Sequence, residues 1–221
     1  MLTYKGRQIP DTLEEIIDPK HTALIVHELL NDFCTEGGVR DKEGCRIDAS
    51  AIVQPVAKLI EEARRQELRI IYVRYTTHAD NSTMSDPDIW KHRESILKPD
   101  APPPPVVDGT WGWENLDEVK PQPGDIIVRK YKVDAFFETP LDVLLRWNRI
   151  RTIVIVGIGA EVGIVPTVMH ANSLGYFSVA VSDCIRPSDP ARAEDAMLYI
   201  GDWSIIKDHT QVLDAWRSHT G

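Results

Sequence analysis

The sequence predicts an α/β fold built on a mostly parallel sheet, and three observations carry that prediction. Apolar runs of strand length recur at 22–28, 69–75, 125–129, 152–157 and 176–182, with a weaker one at 203–206. These runs are β-branched and nearly continuous rather than alternating, as strands covered on both faces should be. Segments with helical periodicity fall between them, so strand and helix alternate along the chain.

Taken in order, TALIVHE (22–28) is the first strand. Residues 48–66 follow as a helix, with Ile52, Val53, Val56, Ala57, Leu59, Ile60 and Ala63 on one wide face and Asp48 or Ser50 to cap it. RIIYVRY (69–75) is the second strand. Residues 76–124 then break the alternation. They hold TTHADNSTMSDPD, the proline run Pro102–Pro105 and GTWGWENLDEVKPQPGD. A proline run cannot enter a sheet interior, and a stretch this long with little periodicity reads as a functional excursion or lid. DIIVR (125–129) resumes the pattern, and a helix over 140–147 starts with Pro140 in its first turn. TIVIVG (152–157) feeds a helix over 163–174 that Gly175 closes. YFSVAVS (176–182), a helix over 189–200, the weak strand and a last helix over 210–217 complete a single domain, 1–221, with no internal repeat.

Bulk properties exclude several classes of function. The chain has 221 residues, 43% of them hydrophobic, and a formal net charge of −9 without a dense Lys/Arg cluster, which argues against nucleic acid and anionic membranes as partners. No stretch approaches the ~20 apolar residues of a membrane span. The opening MLTYKGRQIPDTLEEIID has no apolar signal core. Three cysteines, Cys34, Cys45 and Cys184, are too few and odd for a disulfide framework, so a reducing, cytoplasmic compartment is expected. There is no CxxC and no HExxH, and the seven histidines are scattered, so neither a metal nor a cofactor is expected.

TIVIVGIGAEVGIV (152–165) poses the first functional question, because a strand opening into glycines resembles a dinucleotide-binding turn, with Asp183 placed to hold a ribose. The spacing is G-x-G-x-x-x-G, with Val162 where the third glycine belongs and Glu161 where a pyrophosphate would sit. The plainer reading is that Gly157 and Gly159 let a buried strand turn sharply. What remains is position: ligands of open α/β sheets bind at strand C-terminal ends, where the first N–H groups of the following helix face an anion or oxyanion. Glu28 ends the first strand and Lys130 the third, so an acid, a base and this turn are expected at one crevice. Each also has a plain reading as a solvated strand end.

Three blocks carry a family resemblance. ALIVHELLNDFCTEGG resembles the opening A-L-L-V-I-D-x-Q-N-D-F of the isochorismatase-like (cysteine hydrolase) superfamily. GTWGWENLDEVKPQPGDIIVRKYKVDAFFETPLDVLLR resembles its central block, and TIVIVGIGAEVGIVPTVMHANSLGYFSVAVSDC its G-V-x-T-x-x-C-V block. The match runs from about residue 22 to residue 206, in order and at the right separations. The resemblance implies a three-layer, Rossmann-like sandwich of about six strands, a small-molecule substrate and a homo-oligomer. It also implies an Asp–Lys–Cys site in which the cysteine attacks an amide-like carbonyl. Position by position, these fall on Glu28, Lys130 and Gly163, with Gly159 and the turn as oxyanion cradle.

Two of three catalytic positions therefore differ. Gly163 offers no thiolate, and Glu28 carries its carboxylate about 1.5 Å further out than an aspartate. Members of the superfamily that cleave vinyl ethers also bear a glycine there, in V-Y-A-H-x-G, and read L-x-H-D-M-Q near the start. Here the corresponding stretch is LIVHELL, with His27 before the carboxylate. In such chemistry a carboxylic acid protonates the enol carbon and no protein nucleophile is needed. Leu30, Asp134 and Glu161 stand where the family has Gln, Ser and, in the vinyl-ether enzymes, His. The two added carboxylates would repel a dicarboxylate, which favours a neutral or cationic substrate. Phe33, Trp90 and Trp111 are candidates for the pocket wall, although aromatic residues more often serve cores. Cys34 is either a displaced nucleophile or a buried thiol. His78 and Asp80 amount to half a metal site, and His170 reads as structural. Two functions stay open: a hydrolase using Glu28 and Lys130 on an enol-ether or amide-like bond, and a catalytically silent binding or assembly protein.

Overall fold

The computed structural model describes residues 1–98, 101 and 103–220. Of the proline run, Pro102 lies outside the described residues. The chain opens with an antiparallel hairpin that sequence patterning did not reveal, β1 (Leu2–Tyr4) and β2 (Arg7–Ile9), followed by the short helix α1 (Leu13–Ile16). Then come β3 (Thr22–His27), the single turns α2 (Asn31–Cys34) and α3 (Val39–Lys42), the long helix α4 (Ser50–Arg65) and β4 (Arg69–Tyr75). Helix α5 (Asp86–Ile96), β5 (Ile126–Lys130), α6 (Leu141–Trp147) and β6 (Thr152–Ile158) follow. Helix α7 (Val165–Ser173), β7 (Phe177–Arg186), α8 (Ala193–Trp203), β8 (Ile205–Lys207) and α9 (His209–Arg217) complete it.

Strands β3 to β8 form one six-stranded parallel sheet in the order β5-β4-β3-β6-β7-β8. Alternate strand residues feed two cores. Leu24, Val26, Tyr72, Val154 and Val156 pack toward α4 and α9, whereas Ala23, Ile25, Ile71, Ile153 and Ile155 pack toward α6, α7 and α8. This three-layer arrangement explains the continuous apolar runs, since each strand needs hydrophobic side chains on both faces. Chain order reverses between β3 and β6. That switch point opens a crevice at the C-terminal ends of the two central strands, where ligands of such sheets bind.

The excursion at 76–124 is more ordered than its sequence suggests. It contains α5, whose Ser85 caps the helix in a reciprocal box with Asp88. Its second half is tied to the loop after β3: Leu116 N–H donates to Leu29 O at 3.0 Å and Asn31 N–H to Glu114 O at 2.9 Å. The buried Asp32 carboxylate accepts from Val39 N–H at 3.1 Å and Val106 N–H at 2.7 Å. It also leaves no room for a β-carbon on Gly112. This portion of the excursion is therefore docked against the loop after β3.

Candidate active site

The crevice begins where β3 stops. His27 pairs in register with Gly157, and their backbones approach so closely that a β-carbon on Gly157 would overlap the His27 carbonyl oxygen. Glu28 leaves the strand with φ +55 and hands its N–H to Val73 O at 3.0 Å. A non-glycine residue in this region costs about 1 kcal/mol or more. The strain is held by flanking bonds, including Leu30 N–H to Glu28 O at 2.7 Å. The kink turns the Glu28 carboxylate out of the sheet register and into the crevice.

Lys130 ends β5, two strands away, and its 1%-exposed side chain reaches across Tyr75, with the ammonium 5.3 Å from the ring centroid. Three oxygens surround Nζ: Glu28 Oε1 at 2.5 Å, Val133 O at 2.8 Å and Lys132 O at 3.2 Å. The ammonium donates to the two carbonyls, and the carboxylate oxygen faces it as an ion pair. The predicted meeting of Glu28 and Lys130 is thus present, as a buried ion pair. The two carbonyls come from the loop after β5, which is pinned by Ala135 N–H to Thr167 Oγ1 at 3.0 Å and by the His170–Asp134 pair at 2.5 Å. Thr167 Oγ1 in turn donates to Gly163 O at 2.7 Å. His170 is structural, as expected, and Asp134 is engaged with it outside the crevice.

Gly159, in the left-handed region at φ +75, starts a wide π-type turn (Ala160–Ile164) that precedes α7. The N–H groups of Val162, Gly163 and Ile164 all return to Gly159 O, at 3.1, 2.7 and 3.1 Å. This corrects the expected oxyanion cradle: a wide turn closes on its own first carbonyl, so those three donors face inward. Gly159 itself borders Glu28, since a β-carbon there would lie 3.7 Å from Oε2.

His27, expected from the sequence at the substrate or oxyanion, sits at the heart of the crevice. Its ring is fully buried, and Nδ1 lies 2.9 Å from Ile158 O. A carbonyl can only accept, so Nδ1 carries the proton and Nε2 is the bare nitrogen of the neutral ring. Burial drives the His27 pKa down to about 4, with the Lys130 charge acting the same way against the opposing pull of Glu28. Nε2 is buried with no hydrogen-bond partner among the described residues and stands 3.8 Å from Glu28 Oε1. The ring fills the place where a side chain on residue 163 would begin. A β-carbon there would overlap Cε1 and lie 2.9 Å from Nε2 and 3.5 Å from Lys130 Nζ. The signal was available in H-E and in G-x-x-x-G, but only the fold brings the two together.

Other expectations resolve differently. The Glu161 carboxylate accepts from Ser188 N–H and Asp189 N–H, both at 2.9 Å, and so ties the turn to the loop before α8. Phe33 belongs to the apolar core on the α4 side, while Trp90 and Trp111 are largely exposed. Burial pushes the Cys34 thiol up to about 12, opposite to what a nucleophile needs. His78 bonds Ser82 Oγ at 3.0 Å, and Asp80 accepts from Ser82 N–H at 3.0 Å. Asp183, the would-be ribose ligand, is held by His209 through Nδ1 at 2.5 Å and N–H at 2.9 Å.

This architecture has known counterparts. The Isochorismatase domain model matches residues 22–201. Ureidoacrylate amidohydrolase RutB of Agrobacterium fabrum is 32% identical over 206 residues, covering 90% of this chain and 88% of that protein. The enzyme of the same description from Rhizobium rhizogenes is 31% identical, covering 90% and 82%. Among solved structures, a cysteine hydrolase from Pseudomonas syringae pv. phaseolicola superposes with a TM-score of 0.78 at 24% identity, covering 92% of this chain and 95% of that one. N-carbamoylsarcosine amidase from Thermoplasma acidophilum superposes with a TM-score of 0.67 at 27% identity, covering 86% and 96%. No helix among the described residues is long and apolar enough to cross a membrane. With a six-stranded parallel sheet, a carboxylate–lysine pair at its switch point and a family match over most of its length, the chain belongs to the isochorismatase-like hydrolases.

Proposed function

We propose that the protein hydrolyses an amide-like C–N bond, of the carbamoyl or ureido type, in a small molecule, with Glu28 as acid–base and water as nucleophile. The observation that carries this reading is the buried ion pair of Lys130 Nζ and Glu28 Oε1 at 2.5 Å beside a residue, Gly163, that has no side chain to attack with. The bond type is supported by the relatives, which are named for ureidoacrylate and N-carbamoylsarcosine.

In the first step an O–H bond of water breaks and its oxygen bonds to the carbonyl carbon. The proton goes to Glu28 and the C=O π pair to the carbonyl oxygen. In the second step that pair re-forms the carbonyl, the C–N bond breaks, and Glu28 returns its proton to the departing nitrogen. Lys130, 2.5 Å from Oε1, holds the carboxylate in place for the first step, and its positive charge favours the negative charge that develops in the crevice.

A second reading, a silent binding or assembly protein, draws on one observation: an imidazole ring already fills the nucleophile's place. The experiment is a hydrolysis assay on ureidoacrylate, N-carbamoylsarcosine, simple amides and an enol ether, run beside Glu28→Gln. Cleavage of a C–N bond that disappears in a folded Glu28→Gln variant is the expected result. Undiminished turnover in that variant overturns the mechanism. Cleavage of the enol ether alone overturns the bond assignment. No turnover of any substrate, with ligand-induced stabilisation, favours the binding reading.

A further inference from the structure

We propose that His27 is a positioning residue for Glu28, its Nε2 receiving the hydrogen bond that Glu28 donates whenever it carries the catalytic proton. This rests on the acid–base reading above. A glutamate that shuttles a proton needs a partner in each of its states. Lys130 serves the carboxylate, at 2.5 Å. A carboxylic acid has an O–H donor, and a bare acceptor lone pair beside it is suited to receive that bond.

The charged or titratable groups that feel the charge of Glu28 include His27 and Lys130, at 3.8 and 2.5 Å, and, more weakly, Tyr75 and Cys34. Lys130 is a pure donor, hydrogen-bonded to two carbonyls and ion-paired with Glu28. Burial pushes the Tyr75 hydroxyl and the Cys34 thiol up, so both keep their protons, and neither presents an unshared nitrogen lone pair as the neutral His27 ring does. His27 Nε2 is a buried lone pair with no hydrogen-bond partner among the described residues, 3.8 Å from Oε1. Closing that gap to hydrogen-bond length takes a movement of about 1 Å, within reach of a carboxyl rotation. The orphaned nitrogen is then explained. A buried acceptor left unpaired is unfavourable in the resting state and becomes satisfied once Glu28 is protonated, which lowers the cost of the proton-carrying intermediate. The bond from Nδ1 to Ile158 O fixes the tautomer that makes this possible. The absence of a β-carbon on Gly163 makes room for the ring.

The test separates this role from a structural one. His27→Asn keeps an amide N–H at the level of Nδ1 for Ile158 O and deletes the Nε2 acceptor, whereas His27→Gln carries an amide oxygen to that level. The folded His27→Asn variant is expected to lose about 10-fold to 100-fold in kcat with little change in KM. The acidic limb of its kcat/KM profile should move down by about one pH unit, one hydrogen bond's worth. His27→Gln should recover part of both. An unchanged acidic limb in a folded His27→Asn variant overturns the proposal, and rate retained in Glu28→Gln instead sinks the underlying mechanism.

A second measurement needs neither turnover nor a stable variant. In the parent protein, the carboxyl 13C signal of Glu28 and the Nε2 15N signal of His27 should move together on acidification. Independent movement, or a protonated Nε2 at neutral pH, overturns the proposal even if every hydrolysis assay is silent.

Discussion

His27 and Gly163 occupy one place between them: a β-carbon on Gly163 would overlap the imidazole and sit 2.9 Å from its Nε2. The glycine is therefore more than a missing nucleophile. It is the complement of a buried ring, and the two positions are coupled in packing.

That coupling makes Gly163→Cys or Gly163→Ala an overpacking change. Each alone should destabilise the fold by about 1–3 kcal/mol. In a His27→Val background the penalty should largely vanish. A double-mutant cycle in urea measures the coupling, and additive effects would show that the ring yields freely. Combined with His27→Val, Gly163→Cys would also place a thiol beside Lys130, whose Nζ lies 3.5 Å from the new β-carbon.

The Glu28–Lys130 pair should respond asymmetrically to loss of either member. Lys130→Met leaves a buried carboxylate unpaired and should cost about 3–5 kcal/mol. Glu28→Gln removes the charge on the exposed side, 11% accessible, and leaves the ammonium its two carbonyls, so it should cost less. Denaturant unfolding at neutral pH ranks the two, and a reversed order would contradict the buried geometry.

Stability should fall with acid in a defined window. His27 is held neutral, with its pKa lowered from 6.5 to about 4, so the unfolded chain binds more protons between those values. Stability contributed by the neutral ring is complete above pH 6.5 and is lost progressively down to about pH 4. The loss is at most about 3 kcal/mol. Urea midpoints at pH 7 and pH 5 should separate in the parent and move closer together in His27→Asn.

Thiol chemistry should be dispensable. Cys45 is exposed, whereas Cys34 and Cys184 are buried with burial pushing both thiols up. Iodoacetamide at pH 8 should modify Cys45 in the folded protein and spare the other two, leaving hydrolysis unchanged. Inactivation that tracks modification of Cys34 would reinstate it as a relocated nucleophile.

The alternation of apolar runs with helical segments was legible along the chain because sheet and helix periods are local properties of side-chain spacing. So were Glu28 and Lys130, since both sit where a strand pattern ends. Ends themselves were less legible. β3 stops at His27 because Glu28 turns to positive φ, and β7 runs on to Arg186 through a bulge. Helix α5 was hidden by a polar, proline-flanked composition in which little apolar surface is buried. The fate of Glu161 was also hidden, because its partners at 188 and 189 lie far along the chain.

The sequence by itself determined the α/β class, a mostly parallel sheet, an acid and a lysine at strand ends, and the absence of a thiol at position 163. Only the tertiary structure decided what stands in the thiol's place. His27 and Gly163 belong to different elements, β3 and the turn before α7, and nothing in their spacing fixes a contact. The parallel pairing of β3 with β6 brings His27 against Gly157, and the turn at Gly159 then folds residue 163 over the imidazole. Close packing leaves room for one side chain at that point, and the ring takes it.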